Sequence, residues 1–237
     1  MHVIIFTDAD LDGAGSALLL NRMYEGHDVV TVETTEYNIL NEFSSRWSTL
    51  DHFDKIFVCD LCLTEEQAEA INRDNVVVID HHSPHVPFVS KYTKAKALVT
   101  EYSSCTKLIA DKFKSKLNLD ERLETLIDLI DQYDSWSFDF PNELEPAKLN
   151  AIYYTYNKPK WEKFIESFKD GLREYNIHEE AFTAATGMRK LELDIPKSLS
   201  FKGYEFTSLR SQSLGDFTRV AKANNSSEQD VINAYVS

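Results

Sequence analysis

Apolar positions along the first 80 residues fall into short, nearly unbroken runs separated by helical spacings. HVIIF (2–6), VVTVET (29–34), KIFVCDL (55–61) and VVVID (76–80) are rich in β-branched and aromatic residues and read as strands. Between them, GAGSALLLNRMYEG (13–26) sets Ala14, Ala17, Leu18 and Met23 partly on one face of a helix. The polar and aromatic stretch ending at Trp47 also reads as helical. Thr64, with Gln67 three residues on, completes a capping box that opens a helix over TEEQAEAINR. Strands that are apolar throughout and alternate with helices predict a parallel sheet covered on both faces.

Beyond residue 100 the spacing turns helical, in SSCTKLIADKFKSK, DERLETLIDLIDQYDSW, PKWEKFIESFKDG and HEEAFTAATGMRKLELD. FPNELEP (140–146) reads as a hinge, and the tail FKGYEFTSLRS, GDFTRVAKAN, QDVINAYV reads as strand, helix, strand. The expected fold class is α/β, a parallel sheet flanked by helices. Residues 1–140 form the main domain, 141–195 a helical linker, and 196–237 a small, partial α/β region.

Composition narrows the setting. The 237 residues suffice for a sizeable core, with 43% hydrophobic and 27% charged. No apolar run approaches the roughly 20 residues of a membrane span. The opening MHVIIFTDAD lacks a basic leader and runs into carboxylates, so it reads as a strand rather than a signal peptide, and a cytoplasmic location is expected. Cys59 and Cys62 have CxxC spacing but no second Cys/His pair at zinc-finger distance; with Cys105 they read as reduced, partly buried thiols. A net charge of −14 disfavours a protein that coats long duplex nucleic acid, and favours a small phosphate substrate held through cations. The oligomeric state stays open, a homodimer among the options.

The acidic residues and histidines fall at the ends of the apolar runs, where open α/β sheets bind ligands. Asp8-Ala9-Asp10-Leu11-Asp12-Gly13 follows the first run, Asp60 the third, and Asp80-His81-His82 the fourth. Gly13 is expected to permit the tight turn into the helix. Taken singly, the first group reads equally as a solvated turn, and Asp60 as a helix cap. Its opening also resembles a calcium loop, but Leu19 stands where the bidentate glutamate belongs. Three strand ends carrying such groups together point to a metal centre. Oxygen and imidazole donors suit Mn²⁺ best, with Mg²⁺, Co²⁺ or Zn²⁺ as alternatives. Two cations about 3.5–4 Å apart can clamp a phosphoryl group and acidify a water between them.

Order, spacing and strand context over roughly residues 1–140 resemble the DHH phosphoesterase superfamily, whose naming motif is present as Asp80-His81-His82. Gln132-Tyr133-Asp134-Ser135-Trp136 and Ser103-Ser104-Cys105-Thr106 resemble stretches of its oligoribonuclease branch. The resemblance implies a metal-binding catalytic domain over 1–140, with Asp10, Asp12, Asp60, His81 and Asp134 as ligands to two divalent ions. It implies that His82 contacts the substrate phosphate. Asp131, one turn before Asp134, competes for the ligand role. Two departures stand out: Asp8 replaces the family's leading histidine as a candidate ligand, and the glycine-rich C-terminal loop with its histidine is missing. The tail resembles the first half of the family's substrate domain, with Arg210, Lys202 and Arg219 as candidate phosphate contacts.

The activity implied is hydrolysis of a short oligonucleotide or dinucleotide to nucleoside 5′-monophosphates. Trp136, Tyr153, Tyr154 and Tyr156 are candidates to stack a base, though at helical spacing such residues more often serve the core. Rivals are a single-strand exonuclease of RecJ type, a pyrophosphatase, and a degenerate member that binds nucleotide or metal without turnover. On this reading Asp12→Ala or His81→Ala abolishes Mn²⁺-dependent hydrolysis with the fold intact. In the same assay Asp134→Ala is more damaging than Asp131→Ala; the reverse order would reassign the ligand.

Overall fold

The computed structural model describes residues 1–139 and 145–172, and the backbone of 199–201 and 204–206. The chain divides into two units, 1–182 and 183–237. The first contains, in order, β1 (His2–Asp8), α1 (Leu11–Met23), β2 (Asp28–Thr34), α2 (Ile39–Arg46), β3 (Lys55–Cys59), α3 (Glu65–Ala70), β4 (Val76–Asp80) and β5 (Lys96–Val99). The helices α4 (Cys105–Lys112), α5 (Lys114–Leu117), α6 (Glu121–Asp134), α7 (Glu145–Thr155) and α8 (Lys160–Phe168) follow.

The five strands form one parallel sheet in the order β2-β1-β3-β4-β5. Both faces are covered, as the apolar runs require. Val3, Ile5, Phe57, Cys59 and Ile79 point into a core shared with α1, α4, α6, α7 and α8. The alternate residues Ile4, Phe6, Ile56, Val58, Val76 and Val78 point into a second core, with Ile39 and Phe43 of α2 and Ala68 of α3. Helix α1 is buried continuously from Leu11 to Leu20, because it is sandwiched between the sheet and α4, α6 and α8. The capping box forms as the sequence requires: Gln67 N donates to Thr64 Oγ1, and Thr64 N donates back to Gln67 Oε1.

Strand order places the functional end. β1 pairs with β2 on one side and β3 on the other, so the direction in which successive strands are added across the sheet reverses between β1 and β3. The crevice outside the C-terminal ends of those two strands is the topological switch point, where ligands bind in open α/β sheets.

The structure departs from the sequence reading in several places. β5 was not expected; it is a four-residue edge strand, KALV, too short and half-exposed to give a period. The run 103–116 is not one helix but breaks at Phe113 into α4 and α5, and Asn118 then closes α5 in the left-handed region at φ 46°. α7 falls within the helical stretch expected over 141–195, but it begins earlier than the expected hinge allows, with Glu145 and Pro146 forming its start. In the second unit, β6 (Leu199–Phe201) and β7 (Tyr204–Phe206) pair antiparallel, where a single strand was expected. The expected helix over 178–194, the tail helix and last strand, and Lys202, Arg210 and Arg219 lie outside the described residues. No helix among the described residues is long and apolar enough to cross a membrane.

Three helices meet at Gly15. A Cβ there would lie 2.4 Å from Thr106 Oγ1 on α4 and 2.7 Å from Ile130 Cδ1 on α6. Gly15→Ala should therefore lower stability by about 1–3 kcal/mol, read as a fall in the urea midpoint.

Candidate metal centre

Each acidic strand end is held by local backbone geometry. Asp10 caps α1, its Oδ1 accepting from Gly13 N at 2.8 Å. Gly13 is needed for close approach rather than for an unusual dihedral: a Cβ would sit 2.3 Å from the Asp8 carbonyl oxygen. Asp60 follows β3 in the left-handed region, at φ 57°, while its N–H bonds the Ile79 carbonyl at 3.0 Å. Such a conformation costs energy in a non-glycine residue and persists where its surroundings enforce it, commonly at functional sites.

The side chains converge on His81. Its Nε2 lies 3.3 Å from Asp60 Oδ1, 3.6 Å from Asp134 Oδ2 and 3.7 Å from Asp12 Oδ2. Its Nδ1 faces the Tyr102 carbonyl at 3.3 Å. A carbonyl only accepts, so Nδ1 carries the proton and Nε2 is the ring atom turned to the carboxylates. Donor atoms of Asp12, His81 and Asp134 lie within 4.8 Å of one another, as do those of Asp60, His81 and His82. Asp12 is buried, and both its oxygens accept backbone N–H groups at the start of α4, from Thr106 at 2.9 Å and Cys105 at 2.7 Å.

Electrostatics marks the cluster as short of positive charge. Burial, then the neighbouring Asp12 and Asp10 charges, pushes the Asp134 carboxyl up to about 8. Burial and Asp10 push Asp8 up to about 7. Burial and Asp12 raise Asp10 and, more strongly, Asp60. Hard carboxylate oxygens beside an imidazole nitrogen whose proton is fixed on the far side are the donor set that divalent cations take. The residues present fit such ions. Asp8 lies at the margin, feeling Asp10, Glu36 and His82 but absent from both close groups.

Asp131 and Asp134 part company here. Asp131 Oδ1 accepts from Ser103 Oγ at 2.6 Å and Ser104 Oγ at 2.7 Å, tying α6 to the loop before α4. Asp134 is the one brought to His81. Tyr153 is fully buried, edge-on to Phe164, and Tyr156 packs against the same core. Trp136 and Tyr154 stay about two-fifths exposed, at 39% and 36%. All three cysteines are free thiols; burial raises the pKa of Cys59 and Cys105.

Behind His82 lies a network that sequence reasoning missed. Asp80 is fully buried, with Oδ1 2.7 Å from His82 Nδ1 and Oδ2 2.6 Å from His85 Nδ1. His85 Nε2 lies 2.7 Å from the Tyr92 hydroxyl. Burial alone would raise Asp80, but hydrogen bonds from His82 and His85 outweigh it and its pKa is lowered. Burial would lower His82, but the bond to Asp80 and the charges of Asp80, Asp134 and Asp12 raise it. The one signal available was a histidine set among turn residues three positions after the motif.

Fold and site together define a doubly wound α/β protein with a buried cluster of carboxylates and imidazole at its switch point, a donor set that could hold metal ions. The chain belongs to the DHH family: that family's N-terminal domain matches residues 2–130. It is 23% identical over 215 residues to an oligoribonuclease, NrnB, of Bacillus subtilis (strain 168), covering 81% of this chain and 50% of that one. It thus spans about half the length of that relative. An uncharacterized protein from Helicobacter pylori G27 shares the fold at a TM-score of 0.52 and 16% identity, over 85% of this chain and 66% of that one.

Asp12 carries a structural duty that changes one expectation. Asp12→Ala would leave two buried N–H groups unpaired, so His81→Ala is the cleaner test of the site. The raised carboxyls also set a pH dependence. From about 3.8, where they ionise in the unfolded chain, to about 7–8 in the folded one, the folded state holds more protons. Metal-free stability therefore falls as pH rises through that window. Mn²⁺ takes the place of those protons, so its thermal upshift should be larger at pH 8 than at pH 6, measured by scanning fluorimetry. An equal shift at both values would contradict the cluster.

Proposed function

We propose that this protein is a divalent-metal-dependent phosphodiesterase that hydrolyses short oligonucleotides or dinucleotides to nucleoside 5′-monophosphates. The observation that carries the reading is the convergence of Asp12, Asp60, Asp134 and His81, with Asp10 and Asp8 beside them, at the switch point of the sheet. Likeness to an oligoribonuclease supports the substrate class, and a net charge of −14 argues against a long basic channel for single-stranded polymer.

Asp10, Asp12, Asp60, His81 and Asp134, with Asp8 at the edge, would hold two divalent ions, manganese foremost, with magnesium or cobalt as alternatives. Such ions, when bound, neutralise phosphoryl oxygens and lower the pKa of a water. The chain's own groups do the rest. His82 keeps Nδ1 on Asp80, which leaves Nε2 to meet a phosphate oxygen. As an imidazolium it offsets the negative charge that grows on the phosphoryl oxygens. Trp136, two residues beyond Asp134 and partly exposed, offers a ring on which a base can stack. In the reaction a water oxygen bonds to phosphorus as the P–O3′ bond breaks, and the 3′ oxygen leaves with a proton.

The test is a turnover panel with Mn²⁺, Mg²⁺ or Co²⁺ over dinucleotides, trinucleotides, long single strands and pyrophosphate, with product analysis. Dinucleotides and trinucleotides should turn over fastest, release 5′-monophosphates, and stop with chelator. His81→Ala should reduce turnover by about 100-fold or more. Preference for pyrophosphate, or no turnover of any phosphodiester with any of the three metals, would refute the assignment.

A further inference from the structure

We infer that His85 is a positioning residue for this hydrolysis: by pinning Asp80, it holds the His82 Nδ1–H on Asp80 and fixes the direction of the ring, so that Nε2 faces the phosphate. The inference rests on the phosphodiesterase reading above.

The geometry is a single chain of hydrogen bonds, Tyr92–His85–Asp80–His82. Asp80 and His85 are fully buried and Tyr92 is nearly so. A carboxylate only accepts, so the Nδ1 atoms of both His82 and His85 donate to Asp80, at 2.7 and 2.6 Å. With its Nδ1 on Asp80, His85 turns Nε2 to the Tyr92 hydroxyl, at 2.7 Å. The Tyr92 ring packs edge-on to His85, centroids 5.9 Å apart. His85 N also donates to the His82 carbonyl at 3.0 Å, closing the turn after β4. The chain of bonds therefore has one outward end, Nε2 of His82, on a side chain 39% exposed.

Function explains this arrangement better than folding does. A buried chain of polar groups gains little stability over apolar residues of the same shape. A carboxylate held by one imidazole can pivot about its Cβ–Cγ bond; a second bond to its other oxygen removes that freedom. Fixing Nδ1–H on a histidine leaves the opposite nitrogen with one direction and one role. His85 is in neither close group of donor atoms around His81, and the Tyr92 hydroxyl meets His85 on the side away from Asp80, so each acts through Asp80 and not on substrate.

The test combines two readouts on the full chain. The first is steady-state kinetics of the Mn²⁺-loaded protein on a linear dinucleotide. His85→Leu should lower kcat by about 10–100-fold, the range for partners that orient a site group, with KM within about twofold. His85→Asn, which keeps an N–H near the Nδ1 position, should recover kcat to within about threefold of the parent, and Tyr92→Phe should fall between. The second readout is the tautomer of His82 in metal-free, ¹⁵N-labelled protein, at a pH where the ring is neutral. The parent should show Nδ1–H alone, and His85→Leu a mixture. A folded His85→Leu with kcat within twofold of the parent overturns the inference. So does an Asn variant as impaired as the Leu variant, or an unchanged tautomer. If His85→Leu does not fold, Tyr92→Phe is read in its place, and unchanged kcat and tautomer overturn it equally. If the parent cleaves no dinucleotide, the functional reading fails, and the tautomer spectrum alone decides whether His85 sets His82.

Discussion

Repulsion among carboxylates that the sheet forces together is the constraint from which the rest of the site follows. Two unit charges 4 Å apart repel by about 4 kcal/mol at an effective dielectric near 20, a large part of the roughly 5–15 kcal/mol that keeps a domain folded. Asp12, Asp60 and Asp134 all approach the one His81 nitrogen within 3.7 Å. The protein meets this repulsion differently at each residue. Asp12 is steadied by two backbone N–H groups at the start of α4, and Asp10 by the Gly13 N–H. Asp60 and Asp134 have less help, and their carboxyls retain protons further up the pH scale. Bound cations would relieve what the hydrogen bonds do not.

The scaffold must then be stiff enough to hold an arrangement that repels itself. Stiffness comes from backbone packed against backbone. Gly13 lets α1 start in contact with the end of β1, and Gly15 lets α1, α4 and α6 close to within a missing methyl group of one another. Thr106 fastens the same junction by donating its hydroxyl proton to the Asp12 carbonyl. Asp131, one turn before Asp134, is tied to Ser103 and Ser104, so α6 presents Asp134 from a fixed position. The aspartates that bond to serines or caps and those that face His81 are the same residue type, and they differ only in what surrounds them.

The difference between these roles decides what could be read from the chain. Strands β1, β3 and β4 were legible because burial on both faces writes an unbroken apolar run. Their acidic ends were legible because carboxylates seldom follow such runs in series. Strand β5 was not, since an edge strand with one exposed flank carries no period over four residues. Helical spacing alone does not separate Asp131 from Asp134, three apart on one helix face; the family resemblance favours Asp134, and the structure ties Asp131 to Ser103 and Ser104 while bringing Asp134 to His81. The polar chain behind His82 was invisible for another reason. His85 and Tyr92 sit in a run of 3₁₀ turns, Ser83–Lys91 and its cap, where the 3.6-residue period of an α-helix does not separate inward from outward side chains.

Asp8 shows how burial can offset a change of residue type. Where the family carries a histidine, this chain has a carboxyl, which in water would be ionised throughout the neutral range. Burial and the adjacent Asp10 bring it to about 7, close to the ordinary value for an imidazole. Near neutral pH this position therefore still exchanges a proton, as a histidine would. The charge states differ: histidine passes from cation to neutral, Asp8 from neutral to anion. At each step the position is one unit more negative than its counterpart, in a site that already repels itself. Lying beside Asp10 rather than within the close groups around His81, Asp8 adds that charge at the margin, where neighbouring Asp10 and Glu36 further disfavour its ionised form. The replacement thus keeps a proton exchanging at neutral pH and raises the demand for cations.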